Sequence, residues 1–84
     1  MRNLIIYTTP TCGFCRMTKA FFAEHGFLYE ERDVASNTDY ADEMIQKSGQ
    51  MGVPVIIVND NGKEEMIIGF DKPKLEKALG VAKS

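Results

Sequence analysis

Several residue types are scarce in this chain of 84 residues, which contains no tryptophan, one histidine, two cysteines and three prolines. A structural zinc site usually takes about four cysteine or histidine ligands, so two cysteines and His25 are too few and we expect no bound metal. No apolar run approaches the roughly 18 residues of a transmembrane helix. The apolar stretch near Met1 is also too short for a secretory signal. We therefore expect a cytoplasmic protein that does not bind membranes.

The composition is that of an ordinary soluble domain, with 44% hydrophobic and 26% charged residues. This length gives room for one hydrophobic core, which predicts a single domain over residues 1–84, and we expect it to be monomeric. The net charge of −2 argues against general nucleic-acid binding. Acidic residues concentrate in 24–43 and lysines in 72–83. We interpret both regions as solvated surfaces, with electrostatic steering of a protein partner as the alternative.

Strand-like and helix-like segments alternate along the chain, as apolar patterning and capping residues indicate. The predicted strands are Leu4–Thr8, Leu28–Val34, Val55–Val58 and Glu65–Ile68, and the predicted helices run from about Gly13 to Gly26, from Asn37 or Thr38 to Gly49, and from Asp71 to Gly80. The order β-α-β-α-β-β-α predicts an α/β fold with a four-stranded mixed sheet and helices on both faces. Helical spacing predicts that Phe14, Met17, Phe21 and Phe22 lie in the core.

Both cysteines lie in one short motif, Cys12-Gly13-Phe14-Cys15, between a predicted strand and a predicted helix. A helix that begins near Gly13 places Cys12 at its N-cap, where free N–H groups and the helix dipole stabilise a thiolate. Cys15 follows in the first turn on the same face, within reach of the Cys12 sulfur. Arg16 and Lys19 add positive charge nearby, and we interpret them as solvated residues of the helix surface.

This spacing is typical of a redox-active cysteine pair. A zinc site and a purely structural disulfide stay open as alternatives. A disulfide across so few residues closes too small a loop to restrict the unfolded chain much, and thiols stay reduced in the cytoplasm. The redox pair is therefore the favoured interpretation.

Four segments together resemble the glutaredoxin family of the thioredoxin-like superfamily, and they span nearly the whole chain. The segments are Tyr7-Thr8-Thr9-Pro10-Thr11-Cys12-Gly13-Phe14-Cys15, Lys19 with Phe21-Phe22, Gly52-Val53-Pro54, and Gly69-Phe70-Asp71. The chain is most similar to short bacterial glutaredoxin-like proteins. The resemblance implies a thioredoxin-like fold, a cis bond between Val53 and Pro54, and disulfide reduction by Cys12 and Cys15 as the catalytic pair.

The resemblance also implies a binding surface for glutathione or a protein disulfide beside these sulfurs. Its residues are Thr9, Gly13, Phe14, Val53, Pro54, Gly69, Phe70 and Asp71. The Val53 backbone would offer strand-like hydrogen bonds to an extended ligand. In glutathione-using members the segment that matches Gly69-Phe70-Asp71 binds the γ-glutamyl end of the tripeptide. We interpret Tyr7 as a core residue that packs beside the site.

Three departures from the glutathione-binding pattern bear on the electron donor. Such proteins commonly carry a lysine at Thr9, a threonine at Gly52 and an acid at Lys72. The resemblance therefore leaves two donors open, glutathione as co-substrate or a flavoprotein thioredoxin reductase. No bound cofactor is expected, because the sulfurs carry the electrons.

The sequence predicts a dithiol–disulfide oxidoreductase that reduces protein or glutathione mixed disulfides. The alternative from another class is an iron–sulfur cluster carrier, because Cys12-Gly13-Phe14-Cys15 resembles the Cys-Gly-Phe-Ser motif of monothiol glutaredoxins. Against a carrier stand the second cysteine and the missing lysine at position 9. A reductant dedicated to one enzyme, such as a ribonucleotide reductase, is a third possibility with the same fold.

Overall fold

The architecture comes from a computed structural model that describes residues 2–50, 52–60 and 62–80, without the side chain of Arg2. The strands are β1 (Arg2–Thr8), β2 (Glu30–Asp33), β3 (Val55–Asp60) and β4 (Lys63–Ile68), and the helices are α1 (Gly13–Glu24), α2 (Thr38–Ser48) and α3 (Lys72–Leu79). They form one four-stranded sheet in the order β2-β1-β3-β4. β1 runs parallel to β2 and antiparallel to β3, and β3 pairs antiparallel with β4. The predicted element order and mixed sheet are confirmed.

One face of the sheet is covered by α1 and α3. Apolar side chains of the central strands meet the buried faces of the two helices in one cluster. Its buried members are Leu4, Ile6, Phe21, Phe22, Ile56, Val58, Ile67, Leu75 and Leu79. Because side chains alternate across a strand, the remaining residues of β1 and β3 point to the opposite face. This cluster fixes α1, and with it the cysteine motif, against the sheet.

The opposite face carries a smaller cluster under α2. Met44 of α2 packs with Tyr7, Val55 and Ile57, which are all buried. Met44 is the only buried residue of α2, and the next residue, Ile45, is 36% exposed. The prediction of helices on both faces is confirmed, with the larger core on the α1 and α3 side.

A polar cluster ties Tyr7 to α2 and β2. The Tyr7 hydroxyl donates a hydrogen bond of 2.7 Å to Glu43, and Arg32 forms ion pairs with Glu43 and with Glu30. Burial, followed by the hydrogen bond to Glu43, raises the pKa of Tyr7 to about 12. The phenol therefore stays protonated and keeps donating at neutral pH. The sequence interpretation of Tyr7 as a buried residue is confirmed, and the structure adds its polar partner.

Several strand boundaries differ from the sequence prediction. The second strand begins at Glu30 rather than Leu28, because its parallel register with β1 starts with the pair Ile5 and Glu30. Leu28 lies outside the sheet and is 91% exposed. The β3–β4 hairpin is longer than predicted, since pairing continues to Asp60 and Lys63. Asn61, part of the predicted turn, lies outside the described residues.

Candidate active site

The cysteine motif lies where β1 ends and α1 begins. Cys12 is the N-cap of α1 with extended backbone angles, φ −85° and ψ 111°. The Cys15 backbone N–H donates to the Cys12 sulfur over 3.1 Å. The predicted N-cap is confirmed, and the first turn contains no acidic residue to repel a negative sulfur. A thiolate at Cys12 is stabilised by this N–H and by the positive end of the helix.

Cys15 is buried, with 1% of its surface exposed, whereas Cys12 is partly exposed, and both thiols are free. Burial, followed by the hydrogen bond with Cys12, raises the pKa of the Cys15 thiol well above its usual range. Cys15 therefore stays protonated at neutral pH until a charge change at Cys12 alters its surroundings. The two sulfurs thus differ in access, and burial makes the Cys15 thiol less acidic than an ordinary cysteine.

This difference makes Cys12 the first cysteine to be alkylated. Iodoacetamide attacks thiolates, so we expect the reduced protein to be labelled at Cys12 at slightly acidic and neutral pH, with Cys15 modified only as the pH rises or the protein unfolds. Peptide mapping by mass spectrometry identifies which cysteine is labelled. The Cys12→Ser variant, labelled with and without denaturant, is the control for Cys15. Preferential labelling of Cys15 in the folded protein would reverse the two assignments.

Lys19 lies one turn after Cys15 and joins a small polar network. Its ammonium forms an ion pair of 2.9 Å with Glu31, and the buried Thr8 hydroxyl donates to the same carboxylate over 2.8 Å. The hydrogen bond from Lys19 is the main cause that lowers the pKa of Glu31. Lys19, interpreted from the sequence as a solvated residue of the helix surface, is half-buried and pairs with Glu31 of β2 rather than with a cysteine sulfur. The positive charge of Lys19 partly opposes the raised pKa of Cys15.

Strand register brings two other predicted segments to the cysteine motif. At the end of β1, Tyr7 pairs with Val55, and Val55 pairs with Ile68 at the end of β4. The residues that follow Tyr7, precede Val55 and follow Ile68 therefore emerge at one edge of the sheet. The Val53–Pro54 peptide bond is cis, as the resemblance implied. Segments that are about forty residues or more apart in sequence meet here.

Gly69, Phe70 and Asp71 connect β4 to α3 beside this proline. The Gly69 N–H donates to the Pro54 carbonyl over 2.8 Å, and Gly69 has φ +81°, a conformation that favours glycine. Asp71 caps α3 by accepting from the Lys74 N–H over 3.2 Å. The ring of Phe70 packs edge-on against Phe21, with centroids 6.4 Å apart. The predicted cap is confirmed, and Phe70 is half-buried.

The remaining predicted site residues lie around Cys12. Thr9 accepts a hydrogen bond of 3.3 Å from the Cys12 N–H through its carbonyl, and Gly13 is exposed at the first position of α1. Val53 is half-buried and packs against the cluster under α2. The geometry thus gathers all eight predicted binding residues around one edge of the sheet, although each of their roles toward a ligand stays a prediction.

Two residues that helical spacing placed in the core are exposed. Phe14 is 62% exposed and Met17 is 49% exposed, whereas Phe21 and Phe22 are buried as predicted. The side chains of successive helix residues point about 100° apart. The Met17 side chain therefore points away from the face of α1 on which Thr18 is buried. Phe14 lies in the first turn of α1, within the cysteine motif. The core prediction for Phe14 and Met17 is wrong, and α1 presents apolar side chains to solvent.

The described ranges contain no group of three or more histidine, cysteine, aspartate or glutamate residues placed to hold a metal ion. Within the same ranges, none of the helices has both the length and the apolar character needed to cross a bilayer. Chemically, the arrangement offers one accessible sulfur, one buried sulfur a turn away, and backbone groups at the edge beside them.

Comparison with known proteins agrees with this geometry. Residues 4–62 match the sequence profile of the glutaredoxin family. The chain is 35% identical over 74 residues to an uncharacterized glutaredoxin-like 8.6 kDa protein in the rubredoxin operon of Clostridium pasteurianum, with 88% of this chain and 93% of that protein covered. It is 36% identical over 59 residues to glutaredoxin 3 of Escherichia coli K12, with 70% and 71% of the two chains covered.

The fold is also shared with solved structures. The glutaredoxin of Archaeoglobus fulgidus superposes with a TM-score of 0.77 at 21% identity, over 94% of this chain and 87% of that one. At this identity the likeness concerns the thioredoxin-like fold alone. Together with the sequence matches and the cysteine motif at the N-terminus of α1, it shows that this chain is a thioredoxin-like thiol–disulfide oxidoreductase belonging to the glutaredoxin family.

Proposed function

We propose that the protein reduces disulfides through a dithiol mechanism in which Cys12 attacks and Cys15 resolves. The observation that supports this proposal is the difference between the two cysteines. Cys12 is the partly exposed N-cap and accepts a hydrogen bond from the Cys15 N–H, while Cys15 is buried one turn further along α1. A nucleophile must be accessible and ionised, which favours Cys12 for the first step. A resolving thiol must be protected until the intermediate forms, which suits Cys15.

The reaction balances without a bound cofactor. The Cys12 thiolate attacks one sulfur of the substrate disulfide, and the other substrate sulfur leaves as a thiolate that takes up a proton. Cys15 then loses its proton and attacks the Cys12 sulfur in the mixed disulfide. The second substrate thiolate leaves and is protonated, and a Cys12–Cys15 disulfide remains. Two electrons have passed from the cysteine pair to the substrate.

The edge beside Cys12 is the proposed docking site for the substrate chain. Backbone groups at Val53, next to the cis Pro54, would offer strand-like pairing to an extended segment. Gly69, held to the Pro54 carbonyl, and the start of α3 at Asp71 would receive the γ-glutamyl end of glutathione. Asp71 already caps α3, and one carboxylate has acceptor sites for both roles.

The electron donor decides between two versions of this proposal, glutathione or a flavoprotein thioredoxin reductase. The oxidised protein is tested by NADPH consumption in two assays, one with glutathione and glutathione reductase and one with thioredoxin reductase. Turnover in either assay supports the oxidoreductase, and the faster assay identifies the donor. Absence of turnover in both, with a protein that dithiothreitol reduces normally, would argue against the proposed function. An iron–sulfur carrier would instead show visible absorbance after purification without oxygen.

Thr9 provides a test of how glutathione docks. The Thr9 carbonyl accepts a hydrogen bond from the Cys12 N–H, so Thr9 lies next to Cys12. Thr9 lacks the positive charge that glutathione-using relatives carry at this position. A charge-assisted hydrogen bond to a carboxylate contributes about 1.5–3 kcal/mol. We therefore expect Thr9→Lys to raise the glutathione-coupled rate several-fold at subsaturating glutathione and low salt, and to change the thioredoxin reductase rate much less.

Thr11→Lys is the matched control, because Thr11 is an exposed residue of the same loop and receives the same added charge. Its rate should stay close to that of the parent protein. The Thr9→Lys gain should shrink as salt rises, since part of it is Coulombic. Equal gains at both positions would show that the effect is general electrostatics, and no gain at Thr9 would show that glutathione is not bound in the family's manner.

A further inference from the structure

A groove runs along the exposed side of α1 where the start of α3 meets it. It is lined by Met17, Ala20, Phe21, Glu24, Phe70 and Lys72, and its volume is about 320 Å³. Phe21 and Phe70 form an apolar floor, with Phe21 4% exposed and their rings in edge-on contact. This volume is at the lower end of the range of small-ligand sites, roughly 300–1,000 Å³. It suits one large apolar side chain with its neighbouring backbone.

Exposed apolar side chains of α1 extend from the groove toward the N-terminus of the helix, which Cys12 caps. Phe14, 62% exposed, lies one turn before Met17, 49% exposed, on α1, and Cys12 caps the same helix. Phe70, which lines the groove, is two residues after Ile68 of β4 and belongs to the segment beside Pro54. Apolar side chains of this size are usually withdrawn from water in a folded domain. An exposed apolar path therefore links the accessible sulfur to the groove.

The charges around the groove are uneven. Arg16 lies four residues before Ala20 on α1, and Lys72 begins α3 at the end of the groove nearest Asp71. Neither cation takes part in an ion pair within the described part of the chain, and both are exposed. Glu24 lines the far end, at the last residue of α1. Along α1, Arg16 therefore flanks the groove on the side of Cys12 and Glu24 on the opposite side, in a protein whose net charge is −2.

We propose that this groove is a specificity site for protein disulfides, which holds an apolar side chain of an extended substrate segment with an acidic residue between that side chain and the reacting cysteine. This inference rests on the proposed disulfide reduction at Cys12. Arg16 and Lys72 attract the acidic residue, while Phe21 and Phe70 bury the apolar one. Glutathione, whose γ-glutamyl end would stop at Gly69 and Asp71, has no apolar side chain to place on Phe21 and Phe70, so the site distinguishes protein substrates from the tripeptide.

Helix geometry sets the spacing of the substrate. The centre of the groove lies about eight residues along α1 from Cys12, which is about 12 Å at 1.5 Å per residue. An extended chain covers about 3.3 Å per residue, so the apolar side chain lies about four residues from the substrate cysteine. The probe is accordingly a synthetic peptide with cysteine as a mixed disulfide with thionitrobenzoate, leucine four residues away and aspartate between them. It is made in both chain directions.

The test compares single-turnover rates of the reduced protein, which needs no reductase. We expect the leucine–aspartate peptide, in one of its two directions, to react about tenfold faster than the same peptide with alanine for leucine, as apolar pockets typically discriminate. Lysine in place of aspartate should remove most of the advantage. Ala20→Gln, which fills the exposed groove wall, should abolish the preference while leaving reduction of hydroxyethyl disulfide within about twofold of the parent rate, since that small disulfide does not reach the groove.

Two matched variants separate the groove from general effects. Ala23→Gln places the same side chain at an exposed position of α1 that does not line the groove, and it should keep the preference. Lys72→Gln should lower the rate with the acidic peptide at low salt, whereas Lys77→Gln, an equal charge change at the other end of α3, should not.

The outcomes also distinguish this proposal from the proposed function. Normal reduction of hydroxyethyl disulfide without any leucine preference, or with a preference that Ala20→Gln retains, would overturn the groove alone. A concentration-dependent dimer abolished by Ala20→Gln would overturn it as well, because a second copy would then be the occupant. If no disulfide is reduced, the proposed function fails. Binding to the groove is then measured by fluorescence anisotropy with a labelled peptide that carries serine in place of cysteine. The proposal stands only if Ala20→Gln weakens the binding of this peptide.

Discussion

Replacing Cys12 by serine is expected to abolish disulfide reduction, whereas replacing Cys15 by serine is expected to leave the first attack intact and to trap a mixed disulfide with protein substrates. The physical reason is the asymmetry of the pair: Cys12 is the partly exposed N-cap that accepts the Cys15 N–H over 3.1 Å. Cys15 is 1% exposed. Without the Cys12 thiolate no bond forms to the substrate, and without Cys15 none is resolved.

The measurement combines turnover with mass spectrometry of the adduct. In the Cys15→Ser protein, serine keeps the backbone N–H that faces the Cys12 sulfur, so the attacking group stays in its native setting. The adduct should disappear on addition of dithiothreitol. Retained turnover in Cys12→Ser, together with no adduct in Cys15→Ser, would contradict the assigned order of attack.

Phe22→Ala is expected to destabilise the folded protein by about 3–5 kcal/mol, the usual cost of truncating a buried phenylalanine. The Phe22 ring is 0% exposed in the larger core and lies 5.3 Å, centroid to centroid, from the ring of Tyr29. Small domains are stable by only about 5–15 kcal/mol, so this single change removes much of the margin. Chemical denaturation followed by far-UV circular dichroism measures it.

Phe14→Ala is the matched control, because it removes the same ring from the same helix. The Phe14 ring is 62% exposed, so its loss should change the free energy of unfolding by no more than about 0.5 kcal/mol, as for most surface substitutions. The sequence pattern treats both phenylalanines alike and predicts similar losses. Similar measured losses would mean that the Phe14 ring is buried in solution.

Local signals in the sequence are sufficient for the element order. Caps and glycines predict the helix ends well: Cys12 and Asp71 are N-caps, and Gly49 and Gly80 end their helices with left-handed backbone. These signals act through hydrogen bonds between near neighbours, so they can be read without the rest of the chain. Strand ends are less well predicted, as Leu28 shows, because pairing with a distant strand decides where a strand begins.

The cysteine motif and the likeness to glutaredoxins are enough to identify the family and to predict which sulfurs react. The spacing of Cys12 and Cys15 alone places both in one helical turn. The partners that come from other elements are visible only in the folded protein. Lys19 is paired with Glu31 of β2, and the Tyr7 hydroxyl is held by Glu43 of α2. A charged side chain in a helical pattern gives no sign of which distant strand lies beneath it.

The sequence by itself determined the order of elements and the caps, and it predicts which two sulfurs react, because each depends on residues within a few positions of one another. The tertiary structure alone decided which side chains of α1 meet water. Phe14 and Met17 share the apolar character of Phe21 and Phe22, yet only the last two are buried. The burial of a side chain on α1 depends on where the sheet and α3 lie relative to this helix. A local sequence pattern does not contain that information. The exposed groove between α1 and the start of α3 follows from this placement.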